Sequence, residues 1–356
     1  MALDIYSTYY LLMVIKNVPK LRTFLRDRYF PTNDATDIFK TMYVLIEYKD
    51  GGKKLAPFVA PRKGGVPILR QGSYIDRFEP PNIAPKRGIT LDDVESRGFG
   101  EALLSNMDPD QREAILIVQD LDELGDMISR REEAMAAETI LNNGCVMFHI
   151  ADDRQVGDEI EIFFYEKDKG EQNPAFYTPA IDWDNPDAPI IDDLDDMARF
   201  LTSRGLPASE FVCAPDVGKD ILNNNKIQKL LDLKNYEIGG VKPEELPEGA
   251  VRLARLNIYG RLIDIIAYEE TYEADDGTVK QYIPAGHGFM TAPKCGRTAY
   301  GAVRQMEEDK KYHVHAARRV PKYHTDTDKD TRDLTLKAKP LLLPNNKWPW
   351  IAAQVK

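Results

Sequence analysis

Hydrophobic and polar positions repeat with different periods along the chain, and each period predicts a structural element. The clearest helical stripe has apolar residues every three or four positions: Ala114, Ile117, Val118, Leu121, Leu124 and Ile128. Asp108 suits an N-cap, Pro109 a first helical residue, and Asn142-Asn143-Gly144 a stop. We therefore predict a helix from about 108 to 141, roughly 50 Å long. That length favours a spine along one domain over an ordinary core helix.

Shorter β-branched or alternating runs predict strands in both halves of the chain. They cover residues 41–48, 145–150, 159–165, 210–214, 253–258, 262–269 and 348–355. Two more helices are expected. One is capped by Asp192 or Asp193 and ends near Arg204 before Gly205, and the other begins at Asp216 and extends to about Leu233. Helices and strands without an internal repeat predict the α+β class.

Residues 54–90 do not carry enough continuous apolar sequence for a core of their own. Short apolar runs alternate there with Pro, Gly, Lys and Arg, and Pro61 to Gly65 is typical of a hairpin connection. Because two isolated strands are marginal in water, this loop needs another surface, and a second copy of the chain is the simplest one. The predicted interface residues are Phe58, Arg62, Lys63, Leu69, Arg70, Tyr74, Arg77, Phe78, Lys86 and Arg87.

The basic residues of this loop allow two interpretations. They could serve only solubility. They could instead set the register against acidic neighbours, either the segment 182–196 or the acidic face of the long helix. The acidic residues of that helix face are Asp120, Asp122, Glu123 and Asp126. We favour electrostatic pairing, and the sequence leaves the individual partners open.

Composition limits the classes of function. The chain has 356 residues, 43% of them hydrophobic, which suits about two domains. No run approaches the roughly 20 apolar residues of a membrane span, and residues 1–17 lack the features of a signal peptide. Three widely separated cysteines favour a reducing compartment. A net charge of −11 argues against a phosphate-binding protein, although it suits a container whose wall does not adhere to DNA.

Candidate chemistry is sparse. Seven aspartates between Asp182 and Asp196 could hold a divalent metal, which leaves a metal-dependent hydrolase as an alternative. A polar loop leading into an acidic first helical turn explains them better. His313 and His315 alone make a poor zinc site, and phosphate-binding loops and the GxSxG elbow are absent. We therefore expect no catalytic, cofactor-binding or metal-binding residues, and a protein that is not an enzyme.

Several short motifs, in order along most of the chain, resemble the major capsid protein E family of tailed bacteriophages, which includes the phage lambda shell protein. The motifs are Phe24-Leu25-Arg26, Tyr29-Phe30-Pro31, Ala56-Pro57-Phe58-Val59, Gly65, Arg70, Gly72, Phe78, Pro80, Pro85-Lys86, Tyr259-Gly260, Ile283-Pro284, Gly296 to Gly301 and Lys339-Pro340-Leu341. Each motif is short, so their order and spacing carry the resemblance.

The resemblance implies the Hong Kong 97-type capsid fold. It implies an N-terminal arm at 1–48, an extended β-hairpin loop at 49–100, a peripheral domain with a spine helix at 101–185 plus 311–356, and an axial domain at 186–310. It further implies pentamers and hexamers in an icosahedral shell around double-stranded DNA, assembled in the host bacterial cytoplasm. A separate scaffolding protein, a portal and a decoration protein are the implied partners. A cellular shell of the same fold that encloses cargo enzymes is the remaining alternative.

Overall fold

A computed structural model describes residues 8, 11–12, 15, 21, 23–48, 74–90, 109–150, 156–164, 175–232, 239–240, 244–246, 249–307, 309–326 and 331–356. The helices are α1 Phe24–Tyr29, α2 Pro109–Asn142, α3 Ile190–Ser203, α4 Pro215–Asn223 and α5 Asn225–Asp232. The strands are β1 Val44–Tyr48, β2 Tyr74–Phe78, β3 Lys86–Ile89, β4 Gly144–Ile150, β5 Val156–Phe163, β6 Phe176–Tyr177, β7 Glu210–Cys213, β8 Gly239–Gly240, β9 Glu244–Glu245, β10 Ala250–Ile258, β11 Arg261–Tyr268, β12 Thr271–Glu273, β13 Val279–Gln281, β14 His287–Thr291, β15 Gly296–Tyr300, β16 Val303–Met306, β17 Tyr312–His315, β18 Val320–Asp326, β19 Thr331–Lys337, β20 Pro340–Pro344 and β21 Ile351–Gln354.

The long helix α2 has the bounds that the apolar stripe predicts, within a residue at each end. Its N-terminal half packs Ile117, Leu121 and Leu124 against Leu334 and Leu336 of the three-stranded sheet β18-β19-β3. Its C-terminal half contributes to a second core, together with α1 and the largest sheet. One helix therefore connects two separate hydrophobic cores, because its buried side faces different partners along its length.

An eight-stranded sheet in the order β6-β21-β14-β7-β11-β10-β8, with β9 also on β10, forms the second half of the molecule. Alternation decides its two faces. Leu256, Ile258, Ile263 and Ile265 point into a core with α3, α4 and α5. Ile266 and neighbouring residues pack on the other face against α1 and the end of α2.

The predicted C-terminal strand exists, but it lies inside this sheet. Strand β21 pairs with β14 on one side and with β6 on the other, so the last residues of the chain join strands from its middle. Trp350 also reaches the end of α2, where its indole Nε1 donates to Asn143 Oδ1 at 2.9 Å. The predicted domain division remains an expectation. Among the described residues, no helix has the length and apolarity needed to cross a bilayer.

Two predicted helix boundaries are wrong. Helix α3 begins at Ile190 with Pro189 at its N-cap, so neither Asp192 nor Asp193 caps it. The helix expected from Asp216 to Leu233 is interrupted, because Asn224 has extended backbone between α4 and α5. The Asn224 carboxamide oxygen accepts the backbone N–H groups of Lys226 and Ile227 and thereby caps α5. A side chain that favours caps thus divides an otherwise continuous apolar pattern.

Candidate assembly surface

The base of the extended loop is a pair of antiparallel strands, β1 and β2. Val44 lies opposite Phe78 at one end of the pair, and Tyr48 lies opposite Tyr74 at the other. Residues 49–73 therefore leave the subunit and return to it at adjacent positions. The predicted interface residues Phe58, Arg62, Lys63, Leu69 and Arg70 lie outside the described residues.

Two predicted interface residues hold this base in its own subunit. The Phe78 ring packs against Phe164 with centroids 5.6 Å apart, beside the buried Val44. The Arg77 guanidinium lies 3.4 Å from the centroid of the Tyr43 ring, a cation–π geometry. Both residues thus anchor the start of the loop, and neither is fully exposed toward a neighbour.

Lys86 and Arg87 in β3 form ion pairs within the subunit. Lys86 Nζ lies 2.6 Å from Asp333. Arg87 Nη1 contacts Asp120 at 2.8 Å and Glu123 at 2.5 Å on α2. The acidic helix face offered by the sequence therefore does pair with a basic residue of the loop, but this contact joins residues of one copy.

The N-terminal segment is fastened to α2 by a buried charge network that the sequence analysis missed. Fully buried Glu132 accepts hydrogen bonds from Arg26, from both terminal nitrogens of Arg319 and from the Tyr300 hydroxyl, at 2.7–3.1 Å. Burial acts to raise the pKa of Glu132, but Arg319 and Arg26 together outweigh it, so the pKa is lowered. One carboxylate thereby joins the N-terminal segment, the long helix and the C-terminal strands.

The adjacent Glu133 caps α1 across the molecule. Its two oxygens accept the backbone N–H groups of Leu25 at 2.6 Å and Arg26 at 2.8 Å, and Tyr268 donates to it at 2.9 Å. Burial raises the pKa of Glu133 to about 7 against these hydrogen bonds. One signal in the sequence pointed to this pair: Glu132 falls four residues after Ile128, where the apolar stripe of α2 continues.

The aspartates between 182 and 196 are used within the fold. Asp193 accepts the Trp183 indole N–H at 2.8 Å and the Tyr177 hydroxyl at 2.7 Å. Asp195 forms ion pairs with Arg199 and Arg261. Across the described residues, no group of histidines, cysteines and carboxylates is arranged to hold a metal. The geometry gives the hydrolase alternative no site.

The histidines and cysteines also have ordinary surroundings. His313 and His315 pair with different carboxylates, Asp309 at 2.8 Å and Glu307 at 2.6 Å, so they do not converge on one point. Burial raises the pKa of both the Cys145 and Cys295 thiols to about 12. Both thiols are therefore protonated at neutral pH, which makes them poor nucleophiles and poor metal ligands.

Two solved structures share this arrangement over almost the whole chain. One is a protein of a prophage in E. coli CFT073, provisionally described as its capsid protein, with a TM-score of 0.62 and 16% identity over 98% of this chain and 99% of that chain. The other is a phage-related protein of Bordetella bronchiseptica RB50, with a TM-score of 0.54 and 8% identity over 96% of each chain. No curated protein matches the chain closely enough to count as a relative.

The fold is the mixed helix-and-sheet fold of a phage shell subunit, the Hong Kong 97 type, as the sequence resemblance implies. The sequence pattern of one family, phage major capsid protein E, matches residues 7–355. The chain therefore belongs to the phage major capsid protein E family, and its function is structural, as one of many copies in the virion shell.

Proposed function

We propose that copies of this chain assemble through pentamers and hexamers into a closed icosahedral shell around double-stranded DNA. The proposed division is an arm at 1–48, a loop at 49–100, a peripheral domain at 101–185 plus 311–356, and an axial domain at 186–310. A separate scaffolding protein, a portal and a decoration protein are the proposed partners, and the host bacterial cytoplasm is the proposed place of assembly. The protein is proposed to act by assembly alone, without catalysis.

One observation carries the proposed contact between copies, namely the paired base of the extended loop. Because Tyr48 and Tyr74 are opposite each other, the loop is attached at a single place and is long enough to reach beyond its own subunit. Phe78, Arg77 and Arg87 hold the strands on either side of it. A firmly held base transmits the position of the loop to the neighbour on which it lies.

The residues farther along the loop have complementary roles in this proposal. Phe58 and Leu69 are the apolar anchors, and Arg62, Lys63 and Arg70 set the register by charge. A standard interface buries about 800 Å² on each partner, and each copy in a closed lattice makes several contacts. Contacts that are weak one by one then suffice, and misplaced copies can dissociate before the shell closes.

The test replaces residues 50–72 by a short Gly-Ser turn that joins the two strands of the base. Since Tyr48 and Tyr74 are already neighbours, the subunit should keep its circular dichroism spectrum and melting temperature while forming no shells. A second variant, R62Q/K63Q/R70Q, keeps the loop and removes only charge, and it should form shells with defects or at lower yield. Normal shells from the shortened variant, seen by negative-stain microscopy, would refute the proposal.

The net charge of −11 limits how the shell can hold DNA. The wall as a whole repels phosphates, so enclosed DNA is held by closure of the shell and not by adhesion. Nuclease treatment of intact particles distinguishes a DNA-filled head from a cellular shell that holds enzymes. Protected double-stranded DNA is the result expected, and particles that contain only protein would contradict this part of the proposal.

A further inference from the structure

The hairpin formed by β10 and β11 leaves part of one sheet face uncovered. On one face, Leu256 and Ile263 are buried under α3. On the other face, the core that includes Tyr268 covers only the end of the hairpin farthest from its turn. Near the turn, Leu262 keeps 58% of its surface exposed. The Arg255 side chain beside it is 53% exposed.

The uncovered face carries more positive than negative charge. Asp264 accepts two hydrogen bonds from Arg255, at 2.5 and 2.7 Å, and lies 3.6 Å from Arg252. Two guanidinium groups thus share one carboxylate. We define this surface, formed by Leu262, Arg255, Arg252 and Asp264, as the arginine face. An exposed leucine within a cationic rim suits a contact with an acidic protein surface.

The opposite side of the same layers is acidic. Asp192 and Asp196 lie one turn apart on the exposed stripe of α3, and the preceding segment exposes Asp182 and Asp184. Ile181, at the start of that segment, keeps 45% of its surface exposed and supplies an apolar contact point. We define this surface, formed by residues 181–184, Asp192 and Asp196, as the acidic face.

Both faces flank the same end of the sheet. Tyr259, in the turn between β10 and β11, donates its hydroxyl to Asp192 at 2.7 Å, and Arg261 pairs with Asp195. The turn is held in a tight conformation, with positive φ at Tyr259 and Gly260. Because the sheet and α3 lie between them, the arginine face and the acidic face of one copy cannot meet each other.

We propose that the arginine face of one copy docks on the acidic face of the next, so that successive copies turn about an axis beside the β10–β11 turn. A two-fold contact would place each face against its own counterpart, like charge against like. A head-to-tail contact places opposite charges together and closes into a ring when its rotation permits. This inference rests on the proposed assembly through rings, and it names the surfaces that build them.

The test reverses the chemistry of one face and then of the other. Leu262→Glu adds a negative charge to the arginine face without removing a buried group, so the melting temperature should not change. The yield of rings and shells should fall roughly tenfold or more, since like charges then face each other across the contact. The matched control is Val279→Glu, the same change at a residue that is 71% exposed on the separate hairpin β12–β13. It should assemble like the unaltered chain.

Rescue by a second substitution separates this contact from a structural effect. Asp196→Lys alone should also lower the yield, because it places a cation opposite Arg255. Combined with Leu262→Glu, it restores an attractive pair and should recover most of the shells, counted by electron microscopy after size-exclusion chromatography. Normal shells from Leu262→Glu alone would leave this face to some other occupant and overturn the inference. So would equal losses in the control, or a double variant without rescue. In each case shells from the unaltered chain leave the proposed function standing.

Discussion

Replacing Glu132 by glutamine tests whether the buried charge network holds the N-terminal segment in place. The side chain has no exposed surface and accepts four hydrogen bonds, from Arg26, Arg319 and Tyr300. The two arginine side chains are themselves only 11% and 13% exposed. The amide keeps the shape of the carboxylate but leaves two buried cations without a counter-charge.

Removing one partner from a buried ion pair costs about 3–5 kcal/mol. We expect Glu132→Gln to lose about 3 kcal/mol of unfolding free energy, because its remaining oxygen still accepts hydrogen bonds. Urea titration followed by circular dichroism measures this as a lower midpoint. The control is Glu123→Gln, whose carboxylate is 61% exposed and pairs with Arg87; a surface pair of this kind is worth less than about 1 kcal/mol. A loss below about 1 kcal/mol in Glu132→Gln would refute the network's role.

The remaining predictions concern pH, packing and thiol reactivity. Because the pKa of Glu132 is lowered in the folded state, the stability from its ionisation is present above the unfolded pKa and is lost as pH falls through the folded pKa. The gap between the unaltered chain and Glu132→Gln should therefore narrow in acid, and a constant gap would contradict this. Gly144→Ala should destabilise by about 1–3 kcal/mol, since a Cβ there would collide with the carbonyl oxygen of Ile162. Gly125→Ala, with open space around it in the middle of α2, should instead stabilise by about 0.5–1 kcal/mol; melting temperatures that move in the same direction would refute the pair. Burial raises the pKa of the Cys145 thiol to about 12, so at pH 8 a maleimide should label it only after unfolding, and rapid native labelling detected by mass spectrometry would be contrary evidence.

The elements that sequence predicts well here are those whose signals are local. The long helix α2 has its Pro start, its Asn-Asn-Gly stop and an apolar stripe within one segment, and its bounds are confirmed. The hairpin turn at Asp276-Gly277 is likewise confirmed, with Gly277 at positive φ between the strands β12 and β13. In both cases the residues that decide the structure lie within a few positions of each other.

Other features depend on residues far apart in the chain. Pro189 and the packing of Ile190 start α3 before the aspartates that looked like its cap, because Asp193 is drawn inward by the Trp183 indole. The place of β21 between β14 and β6 is a matter of tertiary pairing that its apolar run could not specify. Glu132 looked like one more surface charge, since its arginine partners lie more than a hundred residues away.

The proposed interface shows the same division between local and distant information. The composition of the loop, rich in Pro, Gly and basic residues, indicated that it needs an outside surface, and the strand pair β1–β2 agrees with a loop attached at one base. The sequence could not separate the residues that fix this base from those available to a neighbour. Arg87 illustrates the difference, because its partners Asp120 and Glu123 belong to its own subunit.

The most direct test of the central claim is electron cryomicroscopy of particles assembled from the purified chain, at a resolution that traces residues 49–73. The account predicts closed shells of pentamers and hexamers in which this loop lies on an adjacent subunit. Single subunits in solution, with the same loop packed against its own copy, would contradict it.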